Sequence, residues 1–224
     1  MRRGTPWVRS KLAASLDGRT ALESGRSQWI TGDAARRDGH AWRRRAGAIL
    51  TGVGTAVADD PRLDVRHVDT EVQPLRVVID SRLRTPARAR VFDAPGFALV
   101  YCAHAEPSAA AALRARAVEV IEMAAADATV DLAAALKDLA TRDVNELHVE
   151  AGPTLTSGAL LRANLIDEFV IYLAPKMLGA GRGMVDGAVR ELSQAWPAAF
   201  RSYASCRRRP AHPGATAGRS RMAD

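Results

Sequence analysis

The sequence predicts an α/β protein with a mostly parallel central sheet and helices on both of its faces. Three observations carry that prediction. Short runs of β-branched and aliphatic residues alternate with helical stretches throughout residues 1–195. Several runs, such as Leu75-Arg76-Val77-Val78-Ile79, are apolar almost from end to end, as strands are when helices cover both sides of a sheet. The chain has 224 residues, 47% hydrophobic and 25% charged, which is the composition of an ordinary globular protein large enough to bury a core unaided.

In order along the chain, strands are expected at Val8–Leu12, Ala48–Gly52, Leu75–Asp80, Ala98–Cys102, Val118–Met123, Glu146–Glu150 and Phe169–Leu173. Helices are expected at Asp33–Ala46, Ala109–Ala117, Val130–Thr141 and Thr154–Ala163. Thr31 is a suitable N-cap for the first helix, with Asp33 at its positive end. Gly152-Pro153 opens the last, where the missing proline N–H costs nothing. No internal repeat is visible. From Ala204 onward Pro, Gly, Ala and Arg dominate without hydrophobic period, so residues 196–224 read as a basic, disordered tail behind a domain spanning 1–195.

Composition excludes several classes of function. No apolar run reaches the length of a membrane span, and no apolar segment follows the N-terminus as in a secretory signal. Cys102 and Cys206 can make neither a disulfide framework nor a cysteine zinc cage, which suits a reducing cytoplasm. The net charge of +7 suggests nucleic acid until it is located. Residues 1–195 hold 26 basic and 24 acidic residues, so most of the excess is in the tail and a basic binding face is not indicated. Phosphate-loop, nucleophile-elbow, His-x-x-x-His and zinc-deaminase signatures are all absent.

Ligands of parallel α/β sheets bind beyond the carboxyl ends of the strands, so those ends carry the candidate chemistry. Gly52-Val53-Gly54-Thr55 follows one strand and leads towards Asp59-Asp60-Pro61; it reads either as a tight turn or as a phosphate-binding turn, with Val57 where a dinucleotide fingerprint needs glycine. Asp80-Ser81-Arg82 ends another strand, where an acid could hold a ribose hydroxyl and Ser and Arg a 2′-phosphate, or could form a plain polar loop. Alternation puts Glu146, His148 and Glu150 on one face of their strand, with Glu150 at its end and His148 in a structural position. Lys11 ends the first strand. Arg43, Arg44, Arg45, Arg62 and Arg66 could form an anion clamp or a solvated basic face.

Taken together these segments resemble one family. Lys11–Thr20 (KLAASLDGRT), Ser27–Thr31 (SQWIT), Ala48–Pro61 (AILTGVGTAVADDP), Leu75–Ser81 (LRVVIDS), His148–Leu155 (HVEAGPTL) and Ala174–Gly179 (APKMLG) occur in the order seen in the reductase domain of the bifunctional riboflavin-biosynthesis deaminase/reductase. The resemblance covers about residues 6–190 and lacks the zinc deaminase half, so a separate deaminase partner is one expectation. It implies a dihydrofolate-reductase-like fold, a homodimer, and reduction of 5-amino-6-(5-phosphoribosylamino)uracil by NADPH. It places Ala13, Trp29, Thr55, Asp59 and Ser81 at cofactor positions, with Gly152, Pro153, Thr154, Leu155, Thr156, Ser157 and Gly158 under the pyrophosphate. Ser27, Arg43, Leu63, Arg66 and Glu150 fall at substrate positions, Arg43 and Arg66 gripping the phosphate with help from Ser27. Lys11 and Glu150 are the candidate catalytic residues, and no metal is implied.

The family ends in an apolar strand that this sequence does not show after residue 200, and the composition changes abruptly after about Tyr203. An altered end would leave a sheet edge bare. Other readings remain: a related reductase with another pyrimidine- or pteridine-like substrate, a cationic nucleic-acid-binding protein, and a fold-bearing subunit without catalysis.

Overall fold

The computed structural model describes residues 4–185 and 190–206; the disorder expected for the rest of the tail lies outside them. Seven strands form one sheet: β1 (Trp7–Ser15), β3 (Ala48–Gly52), β4 (Leu75–Ile79), β5 (Ala98–Cys102), β6 (Val118–Glu122), β7 (Glu146–Val149) and β8 (Glu168–Ala174). Their spatial order is β6-β5-β4-β3-β7-β1-β8, and every neighbouring pair is parallel. All seven expected strands are therefore present, some with ends shifted by one to three residues. A second, two-stranded antiparallel piece pairs β2 (Arg19–Leu22) with β9 (Gly181–Gly183). This arm was not expected: neither strand has an apolar alternation, and the two are far apart in sequence. Gly181 is required there because a Cβ would stand 2.3 Å from the Ala21 carbonyl oxygen.

Strand alternation splits the core into two layers. Leu50, Val77, Leu99, Leu147 and Val149 face one side, where they meet α5 (Leu132–Thr141) and Leu160. Ile49, Val78, Val100 and Cys102 face the other, against α2 (Val53–Asp59), α3 (Arg90–Asp93) and α4 (Pro107–Arg114). Each layer removes side chains worth roughly 1.5–3 kcal/mol apiece from water, so the sheet is stabilised from both sides. α1 (Asp33–Arg45) lies over the second face at β7 and β1. Its N-cap is Gly32 with no side-chain bond, not Thr31, whose carbonyl instead accepts from Arg36 Nη1 at 3.3 Å. The segment after Gly152-Pro153 is a wide π-type helix, Thr154–Leu161.

Two buried arginines that look like surface residues in the sequence hold the frame. Arg76, on β4, is 1% exposed and donates to the carbonyls of Val91, Ala94, Pro95 and Gly96, fastening the loop that follows α3. Arg9, on β1, is 2% exposed, bonds Glu146 at 2.9 Å and Glu168 at 2.8 Å, and stacks its guanidinium 4.4 Å from the Trp42 ring centre. Among the described residues no strand pairs with the outer edge of β8, where Phe169, Ile171 and Leu173 are exposed in alternation.

Candidate active site

The carboxyl ends of β7 and β3 and the middle of β1 bring the candidate residues together; β1 continues to Ser15, so Lys11 lies within the strand and not at its end as expected. The parallel register pairs Arg9 with His148 and Ser10 with Val149, so the next pair is Lys11 and Glu150. Glu150 N–H donates to the Leu50 carbonyl at 2.9 Å, and its own carbonyl accepts from Thr51 Oγ1 at 2.8 Å, which fixes the strand end. From above, α1 presents Arg36, His40 and Arg43 at helical spacing towards the crevice, and Asp38, Trp42 and Arg45 on the neighbouring stripe towards β1, β7 and β8.

Arg43 meets Glu150 in a two-point contact, Nε to Oε1 at 2.5 Å and Nη2 to Oε2 at 2.9 Å, while its Nη1 donates to the Asp64 carbonyl at 2.9 Å. Lys11 Nζ stands 3.9 Å from Glu150 Oε2, and 5.9 Å from the centre of the Tyr172 ring. Burial alone would raise the Glu150 carboxyl; the Arg43 guanidinium and the Lys11 ammonium outweigh it and hold the group well below the usual carboxylate range. Tyr172 donates its hydroxyl to Asp38 at 2.6 Å; its burial and that bond raise the phenol. His148 Nε2 is 3.3 Å from Glu150 Oε1, and the residue is fully buried.

Arg43 is thus paired with Glu150 in the ligand-free protein, which leaves Arg66 as the more open of the two arginines expected at the phosphate. Charge pairing also explains three more arginines of the proposed clamp, while Arg44 is exposed and reaches the Asp69 carbonyl at 3.5 Å. Arg62 and Arg66 both bond Asp64, a buried carboxylate, and Arg45 bonds Glu146 at the opposite end of the strand. Arg66 keeps 43% of its side chain exposed and remains the open cation of this corner. Its N–H donates to Nδ1 of His40, whose pKa burial and the Arg43 charge lower to about 4. Leu63 is 2% exposed and packs in the second core layer with φ of 50°, so a ligand contact from this position is a main-chain one. Ser27 is half-buried in the loop between β2 and α1.

The second group of candidates lines the adjoining crevice. Thr55 Oγ1 accepts from Gly152 N–H at 3.1 Å, tying the turn after β3 to the turn after β7. Leu155 packs against Gly52, where a Cβ would come within 3.0 Å of it, whereas Gly54 opens on space with nothing within 4 Å of a Cβ. Neither α2 nor the helix at Thr154 has a side-chain cap, so first-turn N–H groups of both are available to an anion. Pro153 and Gly158 are buried, Thr154 is exposed, and Thr156 and Ser157 belong to the same helix. Ala13 is half-buried on β1, and Asp59 ends α2 exposed.

Ser81 follows β4, its carbonyl taken by the N–H groups of Ala103 and His104 at 3.1 Å. The ribose role considered for Asp80 is excluded: the carboxylate is fully buried and accepts from Thr85 N and Oγ1 at 2.6 and 2.7 Å. Trp29 is 65% exposed at the rim, under the Arg36 guanidinium at 4.5 Å, and its carbonyl accepts from Lys176 at 3.3 Å. Asp17 joins two quoted segments directly, accepting from Ser15 Oγ and from the N–H groups of Leu178 and Gly179; these bonds lower its pKa to about 2.

A parallel sheet whose strand ends carry an uncapped, glycine-lined crevice beside a lysine–carboxylate pair is that of an α/β protein of the dihydrofolate-reductase-like fold. The chain belongs to the RibD C-terminal domain family, whose model matches residues 6–197. It is 41% identical over 197 residues to the riboflavin biosynthesis protein RibD of Escherichia coli K12, covering 82% of this chain and 52% of that one. It superposes on Acinetobacter baumannii RibD with a TM-score of 0.75 at 37% identity, covering 87% of this chain and 53% of that one. On the Thermotoga maritima deaminase/5-amino-6-(5-phosphoribosylamino)uracil reductase the TM-score is 0.72 at 27% identity, with 88% and 52% covered. The chain spans about half the length of the curated relatives it matches.

Proposed function

We propose that this chain reduces 5-amino-6-(5-phosphoribosylamino)uracil to its ribitylamino product, with NADPH as the reductant. The observation that carries the reading is the Lys11–Glu150–Arg43 cluster beside the Thr55–Gly152 crevice, in a chain of the RibD C-terminal domain family. When bound, NADPH supplies a hydride, which no side chain of the protein can. The crevice suits it: the open Gly54 and the uncapped helix starts would hold a pyrophosphate, and Ser81 with Arg82 would accept the 2′-phosphate.

The residues at the other end would manage the substrate. Opening of the ribosyl ring makes a C1′=N bond while a proton moves from the nitrogen to the ring oxygen; reduction at C1′ then requires one proton at the nitrogen. Lys11 would donate those protons. Glu150, kept ionised by Arg43, would hold Lys11 aimed at the substrate. Arg66, at the open corner, would meet the substrate phosphate.

The proposal extends to organisation. The reductase unit would be residues 1–195, with 196–224 a tail; the apolar edge of β8 would pair with a second copy; and a deaminase would act from a separate chain or a fused segment. No helix among the described residues is long and apolar enough to cross a membrane, which accords with work in the cytoplasm.

The test supplies the pyrimidine substrate with NADPH or NADH, follows nicotinamide absorbance and identifies the product by mass. Oxidation of NADPH with deuterium carried from deuterated NADPH to C1′ is expected. Binding of NADPH, seen as a raised melting temperature, without turnover of this substrate would refute the named reaction.

A further inference from the structure

We propose that His148 is a positioning residue for Glu150: its Nε2–H is the donor that fixes Oε1, so that the carboxylate keeps its plane when Lys11 turns to the substrate. The inference rests on the reading of Lys11 and Glu150 as the proton-handling pair. His148 lies within β7 between its register partners Arg9 and Ile49 and is fully buried. Among the described residues neither ring nitrogen has a partner in full hydrogen-bond geometry, an arrangement that costs stability and that leucine or methionine in the same slot would avoid. The unmet nitrogen is not randomly placed, because Nε2 stands 3.3 Å from Glu150 Oε1.

The surroundings of Glu150 explain why a donor is useful there. Oε2 has the Arg43 Nη2 hydrogen bond and the Lys11 ammonium; Oε1 has only Arg43 Nε besides His148. Arg43 is itself anchored on the Asp64 carbonyl and cannot follow the carboxylate. If Lys11 swings to a substrate atom, the carboxylate can pivot about the two Arg43 bonds, and a small rotation of the His148 ring closes the third point that stops it. Supporting groups of this kind hold a reacting side chain within the fraction of an ångström that catalysis needs.

The test uses His148→Gln, His148→Asn and His148→Leu. Glutamine sets an N–H near the Nε2 position, asparagine near Nδ1, and leucine sets none. With substrate, His148→Leu and His148→Asn should lose about tenfold in kcat/KM, the scale of one hydrogen bond to a charged group, while His148→Gln stays within about twofold. NADPH affinity should be unchanged in all three. A nitrogen-15 spectrum of histidine-labelled protein, which needs no turnover, should show His148 protonated at Nε2 and its resonance displaced by Glu150→Gln. Equal kcat/KM in the Leu and Gln variants, or a His148 protonated only at Nδ1, would overturn the proposal. Absence of turnover in the unmutated protein would instead refute the reductase reading, and the spectrum would still decide the His148–Glu150 contact.

Discussion

The Arg43–Glu150 pair can be tested without any ligand, through stability. Both side chains are largely out of water, 13% and 14% exposed. Removing one partner of a buried pair leaves an uncompensated charge, typically at a cost of about 3–5 kcal/mol. Here the nearby Lys11 and the residual exposure reduce the figure, so Arg43→Met should destabilise by about 2–3 kcal/mol, a fall in Tm of about 5–10 °C for a chain of this size. The pH dependence has a definite sign. Glu150 titrates below its unfolded value of 4.5 in the native protein, so its pairing adds stability that is present above that value and is lost as pH falls through the native one. In Arg43→Met burial is opposed only by Lys11 and the His148 contact, the carboxyl rises, and protonation relieves it earlier. The deficit relative to the unmutated protein should therefore be largest near neutral pH and narrow on acidification. Urea unfolding of Arg43→Met, Glu150→Gln and the double variant measures both quantities. The double variant buries neither charge and should cost less than the sum by about 1–3 kcal/mol. Strict additivity, or a deficit that stays constant from about pH 7 to pH 5, would refute the argument.

Arg76→Met leaves four carbonyls of residues 91–96 without their donor and should destabilise by about 3 kcal/mol or more in urea, with Arg76→Lys intermediate. Thr55→Val unties Gly152 from the turn after β3 and should weaken NADPH binding about five- to tenfold in a fluorescence titration, with little change in Tm. Asp17→Asn loosens the contact between the 15–18 turn and residues 178–179, so limited trypsin digestion should cut sooner after Lys176. In the unmutated protein that contact should persist on acidification until pH approaches about 2, because the Asp17 pKa is lowered. Ile171→Glu places a charge among the exposed apolar residues of β8 and should abolish the proposed dimer, so that sedimentation shows a dimer for the unmutated protein and a monomer for the variant.

What the sequence made legible follows from how each feature is encoded. The strands of the sheet are buried on both faces, so each is a nearly continuous apolar run, and their carboxyl ends follow from the parallel order. That suffices to point at Lys11, Gly52–Thr55, Ser81 and Glu150. The β2–β9 arm was illegible because its pairing rests on main-chain bonds and on the closeness that Gly181 permits, neither of which leaves an apolar pattern. The partner of Arg43 was illegible for another reason: Glu150 is 107 residues away, and in a chain so rich in arginine one guanidinium looks like another. Asp80 left two readings open because a carboxylate at a strand end looks the same whether it faces a ligand or caps a buried turn through Thr85.

The arginines also explain how a chain of net charge +7 need not present a basic face. Arg9, Arg43, Arg45, Arg62, Arg66, Arg116 and Arg142 are each ion-paired, and Arg76 is sunk among carbonyls. These contacts need what lysine lacks. Arg43 grips both oxygens of Glu150 and reaches a carbonyl with its third nitrogen, and Arg9 divides its fork between two carboxylates while stacking on Trp42. A planar fork with fixed donors can crosslink elements that are distant in sequence; a single ammonium on a flexible stem cannot. The same property sets the site. Lys11, with one rotatable donor group and a long contact to Glu150, is the cation in the cluster least constrained by geometry, which is why the proposed proton transfer is assigned to it. The arginines around it keep the field and the carboxylate in place, which makes Lys11→Arg a poor substitute even though it preserves charge.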